Sequence, residues 1–157
     1  MRYFEDIALE TKRTIGDYTF TQAEMIHFAQ EFDPQPFHID PEAALASPFR
    51  GLVASGWHTV AIWMKLMVAD RILAHSRGER AAFGPSPGFR DLKWLKPVHA
   101  GDTLTYSTMA TQKTELKTRP HWGLIGSHNE AVNQNGEVAM SFLGQVLCMR
   151  RPAGTAP

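Results

Sequence analysis

The sequence predicts an α+β domain in which a curved antiparallel sheet wraps one long helix, and three observations carry that prediction. Helical patterns fill the first half of the chain and strand patterns the second. The segment "LVASGWHTVAIWMKLMVADRIL" places Trp57, Val60, Ile62, Trp63, Met64, Leu66, Met67 and Val68 at nearly every azimuth of a helix, as expected of a helix buried on most sides. Asn135-Gly136, between two apolar runs, is a tight-turn pair that joins antiparallel strands.

Taken in order, "RTIGDYTF" reads as a first strand. Thr21 and Glu24 then have capping-box spacing ahead of Met25, Ile26, Phe28 and Ala29, so an amphipathic helix is expected from about Gln22 to Glu31. Pro34 discourages its continuation, and Asp40 with Pro41 reads as the cap and first turn of a short helix through Ala46. Between them, "DPQPFHI" is expected to be a rigid loop. After the long helix come "GFRDLKWLKPV", "TLTYSTMATQKTEL", "WGLIGSHNEAVN" and "EVAMSFLGQVLCMR". Leu104 and Tyr106 alternate with Thr103, Thr105 and Ser107, which gives the second of these strands one wet face, while the last, apolar on both sides, is expected near the middle of the sheet.

A chain of 157 residues with 43% apolar content suits one domain, and residues 1–150 are read as that domain with 151–157 as a disordered tail. Sixteen basic and sixteen acidic residues leave no excess charge to recruit nucleic acid or an anionic membrane surface. The longest apolar stretch is interrupted by Lys65 and is too short to span a bilayer. A lone cysteine, Cys148, excludes an internal disulfide and a multi-cysteine zinc site, and with no signal-peptide pattern at the N-terminus the expected location is the cytoplasm.

The rigid loop carries the first candidate chemistry. Asp33 and His38 stand five positions apart, with Pro34 and Pro36 between them limiting the freedom of both. A carboxylate beside an imidazole can hold one water and exchange its protons near neutral pH. The alternative is structural, with Asp33 opening a turn and His38 packed and hydrogen-bonded. The second candidate is "ASGWHT". Ser55 is placed to cap the long helix and Gly56 to open its first turn, where unpaired N–H groups could hold an oxyanion; a plain cap and a close-packing glycine are the other reading. The remaining histidines show no metal-ligand spacing, and neither a P-loop nor a dinucleotide-binding glycine pattern is present.

"FAQEFDPQPFHID", "GLVASGWHT", "LKWLKPVHAGDTL" and "NQNGEVAMSF" together resemble the MaoC-like dehydratases, relatives of the (R)-specific enoyl-CoA hydratases, over most of the chain. The resemblance implies a hot-dog fold, reversible hydration of a trans-2-enoyl coenzyme A thioester to the (R)-3-hydroxyacyl thioester, and no metal or redox cofactor. It makes Asp33 and His38 the catalytic pair and Gly56 the backbone donor to the thioester carbonyl, with the flanking Ser55 and Trp57 as substrate-binding residues. Arg50, Lys93 and Lys96 become candidate partners for the coenzyme A phosphates, with solvated surface as the alternative for each. A homodimer or a dimer-based higher oligomer, with an acyl tunnel near the subunit interface, is the expected assembly. Two departures stand out. Gln35 occupies the family's usual asparagine position, and the turn that supplies an assisting serine in some hydratases offers Thr59, Val60 and Ala61. Thioester hydrolysis and acyl-CoA binding without turnover are the rival functions.

Overall fold

The structure is a computed structural model, and it describes residues 1–152 and 154. A 3-10 turn at Phe4–Asp6 precedes strand β1 (Arg13–Thr19) and helices α1 (Gln22–Phe32), α2 (Pro36–Ile39), α3 (Pro41–Leu45) and α4 (Gly56–Ser76). Strands β2 (Gly88–Trp94), β3 (Thr103–Glu115), β4 (Trp122–Asn133) and β5 (Val138–Met149) follow. Every neighbouring pair in the order β1-β3-β4-β5-β2 is antiparallel, so β4 is the middle strand and β5 lies between it and the β2 edge. The β4–β5 turn is closed by Asn133, whose Oδ1 accepts from the N–H groups of Asn135 and Glu137, both at 3.0 Å, while Gly136 takes φ 79°, a conformation that favours glycine.

Thr21 caps α1 as expected, its hydroxyl oxygen accepting from Glu24 N–H at 3.3 Å. Strand β2 ends at Trp94, short of the expected Val98, because Val98 turns inward to accept from Ala54 N–H at 2.8 Å. On β3, Leu104 and Tyr106 are fully buried, but Ser107 is buried as well, since residues on both faces of that strand are covered near its centre. Arg151, assigned from sequence to the disordered tail, is held by the carboxylates of Glu5 and Asp6; residues 153 and 155–157 of that tail lie outside the described residues.

The core lies between the concave face of the sheet and one side of α4, around Phe20, Met25, Leu104, Tyr106 and Met140. Tyr106 O–H donates to Thr59 O at 3.1 Å, which ties β3 to the helix. At the bulge of β1, a Cβ on Gly16 would lie 3.1 Å from Leu66 Cδ2, so the glycine lets α4 pass close over the strand. The expectation that α4 is buried on most sides is corrected. His58, Thr59, Ile62 and Met67 are buried, but Trp57, Met64, Val68, Ile72 and Leu73 are exposed. One sheet contacts one stripe of a helix, and among the described residues no other element covers the opposite stripe. No helix among the described residues is long and apolar enough to cross a membrane.

His58 is only 5% exposed and stacks flat on Phe28 at 4.5 Å, with Phe20 edge-on at 5.1 Å. Its Nδ1 has no hydrogen-bond partner among the described residues. Burial holds its pKa below the ordinary value; Glu24 acts against that shift and Lys65 adds to it. The unfolded chain therefore takes up a proton near pH 6.5 that the folded chain resists, and stability should fall as pH drops from about 7 to 5. Urea midpoints across that range should decline in the wild type and less steeply in His58→Phe; equal slopes would contradict the assignment.

Candidate active site

The local chain geometry follows from the two prolines. A residue before proline disfavours helical backbone, and α1 stops at Phe32, with Asp33 at φ −156° and its N–H donating to Ala29 O at 2.8 Å. Gln35 N–H donates back to Asp33 O at 2.7 Å, closing a three-residue turn with Pro34 at its centre, where proline's restricted φ fits. Pro36 then opens α2 at the first helical position, where a missing N–H has no cost, and Asp40 N–H donates to Pro36 O at 2.9 Å. The expected rigid loop is thus corrected: "PFHI" is one turn of helix, because proline is compatible with a helix start though not with a helix interior.

That turn carries His38 inward, to 6% exposure. Its Nδ1 lies 2.7 Å from Val53 O, and since a carbonyl only accepts, Nδ1 carries the hydrogen. Nε2 then lies 3.3 Å from Asp33 Oδ2, an acceptor when the ring is neutral and a donor to the carboxylate when it is protonated. Val53 is itself clamped, its N–H donating to Phe37 O at 3.2 Å and its neighbour Ala54 N–H to Val98 O. The imidazole is therefore oriented by a backbone carbonyl whose own segment is held at Val53 and Ala54.

The same clamped segment leads into Ser55, fully buried at the N-cap of α4. Its hydroxyl accepts from Trp57 N–H at 3.2 Å and donates to Asp33 Oδ2 at 2.7 Å. Ser55 was expected as a cap and a substrate contact; it also bonds the candidate carboxylate, so a serine reaches Asp33 from the residue before Gly56 and not from the turn after it. Thr59, at that later turn, donates to Gly56 O at 2.6 Å. Gln35, absent from the expected site residues, donates through Nε2 to Asp33 Oδ1 at 2.8 Å. The family position itself was the available signal, since an amide occupies it in either form. Burial alone would raise the Asp33 carboxyl, but the donors Ser55 and Gln35 and the charge of His38 outweigh it and hold the group below its ordinary value.

Gly56 opens α4, and its N–H has no partner among the described residues, as is usual for the first turn of a helix. A Cβ at this position would lie 2.3 Å from Trp94 Cε2, so the indole needs glycine there. Trp57 points outward, 51% exposed and edge-on to Trp94 at 5.3 Å. Among the described residues, the cations expected at the substrate bond neither Asp33 nor His38. Lys96 Nζ is bound to Glu137 at 2.8 Å, Lys93 is exposed on the β2 edge, and Arg50 is exposed in a turn at φ 53°. Nor does the pair line the groove of about 1130 Å³ between the C-terminal half of α4 and the sheet, whose walls include Trp63, Met67, Phe89 and Phe142.

The family model of the MaoC-like domain matches residues 6–125. The solved MaoC-like dehydratase from Rhodospirillum rubrum is 36% identical, with a TM-score of 0.84 over 97% of this chain and 99% of that one. The (R)-hydratase from A. caviae involved in PHA biosynthesis is 20% identical, with a TM-score of 0.63 over 94% of this chain and 99% of that one, a likeness of fold. Among curated sequences, the uncharacterized protein YdeM of Bacillus subtilis (strain 168) is 35% identical over 81 residues; the match spans 52% of this chain and 53% of YdeM. The sheet-wrapped helix is the hot-dog fold. With a domain match over most of the sequence and a relative aligned along its full length, the chain belongs to the MaoC-like domain family.

Proposed function

We propose that the protein is a hydratase/dehydratase that adds water reversibly to a trans-2-enoyl thioester, with coenzyme A as the thiol, to give the (R)-3-hydroxyacyl thioester. The observation that carries this reading is the pairing at the centre of the site: His38 Nε2 lies 3.3 Å from Asp33 Oδ2, with Nδ1 held as the donor to Val53 O. A water held between Asp33 and His38 gives a proton to Nε2 as its oxygen adds to the β-carbon. The displaced electron pair moves through the α-carbon to the thioester oxygen, where Gly56 N–H is the donor. Such a donor contributes about 3 kcal/mol when aligned with the developing charge. His38 then returns the proton to the α-carbon, so that water is added across the double bond and the protein is unchanged. Asp33 stays ionised throughout and stabilises the transient imidazolium. The reaction needs no metal or redox cofactor.

The test is loss of the enoyl-thioester absorbance with crotonyl-CoA and longer or branched analogues, followed by chiral analysis of the product. Release of free thiol without hydration would replace this reading with hydrolysis, and inertness across the panel would reject it. The Ser55 hydroxyl on Asp33 Oδ2 supports turnover over binding alone, since a serine does reach the carboxylate.

A second copy of the chain completes the proposed assembly. The exposed apolar stripe of Met64, Val68 and Ile72 on α4, with Phe89 and Leu95 on or beside the β2 edge, supports it. Light scattering should give at least twice the 17.6 kDa chain mass, and Met64→Glu with Val68→Glu should lower it toward one chain. A monomer in the wild type would reject the proposal.

A further inference from the structure

We propose that Gln35 is a positioning residue for the catalytic carboxylate: its side-chain amide holds Asp33 Oδ1 so that Oδ2 stays ionised and aimed at His38. The inference rests on the hydration reading for its kinetic consequence, though not for its geometry. Gln35 is joined to both members of the pair. Its N–H donates to Asp33 O at 2.7 Å, its carbonyl accepts from His38 N–H at 2.8 Å, and its Nε2 donates to Asp33 Oδ1 at 2.8 Å. The short turn over Pro34 and the helix start at Pro36 hold the backbone of Gln35 in place, so its amide reaches Oδ1 from a constrained base.

The two carboxylate oxygens are thereby divided. Oδ2 takes the Ser55 hydroxyl at 2.7 Å and faces His38 Nε2, whereas Gln35 is the donor to Oδ1 among the described residues. Donors on both oxygens define the carboxylate plane; with Oδ1 released, the group can rotate about Cβ–Cγ and carry Oδ2 away from the imidazole. The amide suits this place because it donates without adding charge. A carboxylate there would repel Asp33 and favour its protonated form, and a longer cation would compete with His38 for it. Gln35 is exposed, so the side chain fills no part of the core, and its removal leaves no cavity.

The experiment follows the Asp33 carboxyl by carbon NMR titration in wild type, Gln35→Ala and Gln35→Glu, alongside pH profiles of kcat. Removing the donor should raise the Asp33 pKa in Gln35→Ala, and the added carboxylate should raise it further in Gln35→Glu, with thermal stability of the alanine variant nearly unchanged. Because hydration needs Asp33 ionised, the acid limb of kcat should move to higher pH in the same order. At neutral pH, Gln35→Ala should lose about three- to tenfold in kcat with little change in KM, the size expected for one hydrogen bond to a partly solvated charge. An Asp33 titration unmoved in both variants would overturn the proposal whatever the activity. If the wild type proves inactive on every enoyl thioester while the titration shifts as expected, the hydration reading fails and the positioning of Asp33 stands.

Discussion

Asp33→Asn should lower turnover of an enoyl thioester by about 10²- to 10⁴-fold, the range associated with disabling the general acid–base unit that the carboxylate forms with His38. The substitution keeps the size of the side chain and retains one oxygen acceptor for Ser55 or Gln35. An amide nitrogen at the Oδ2 position would instead donate to His38 Nε2, now 3.3 Å away, and occupy the lone pair that water needs. Expression and thermal stability should change little, so the loss belongs to the chemistry. His38→Ala should have an effect of similar size on kcat but also destabilises, because it empties a buried volume and leaves Val53 O without the donor at 2.7 Å. The double variant should fall little further than either single one, since each removes the same proton-transfer unit. Wild-type turnover in both single variants would sink the assigned roles.

Gly56→Ala is expected to have the second-largest effect. The new methyl group would meet Trp94 at 2.3, 2.5 and 2.7 Å, three atoms of one indole, so no small adjustment relieves it. Trp94 is 47% exposed and can swing outward, which limits the cost to about 1–3 kcal/mol, typical of overpacking. The ring also leaves its edge contact with Trp57, and the first turn of α4, which carries both the Ser55 hydroxyl and the Gly56 N–H, is disturbed. Thermal melts and kcat should therefore both drop. Trp94→Ala combined with Gly56→Ala should recover most of the stability lost to the clash, and a double variant no better than the single one would show that the glycine is required for another reason.

The elements legible in the sequence are those specified by residues close together in the chain. The Thr21–Glu24 cap, the Asn135-Gly136 turn, the alternation of Leu104 and Tyr106 and the long apolar helix each declare themselves within a few residues, and each stands in the structure. Asp33 and His38 belong to this class as well, being five positions apart in a segment whose prolines leave the backbone few conformations. The one-turn helix at Pro36 is not legible in the same way, because a proline two residues after the break at Pro34 suits an extended loop as well as a helix start.

Sequence by itself thus determined the order of helices and strands, the tight turns and the residues of the candidate pair. Tertiary structure decided how they are used: which stripe of α4 meets the sheet, that Ser55 crosses 22 positions to bond Asp33, that Val53 sets the tautomer of His38 from 15 positions away, and that Lys96 is occupied by Glu137. Capping and periodicity act over one or two turns of chain, where local sterics and hydrogen bonding suffice. The partner of a side-chain oxygen or nitrogen depends instead on how distant segments pack, and that is settled only when the sheet closes over the helix.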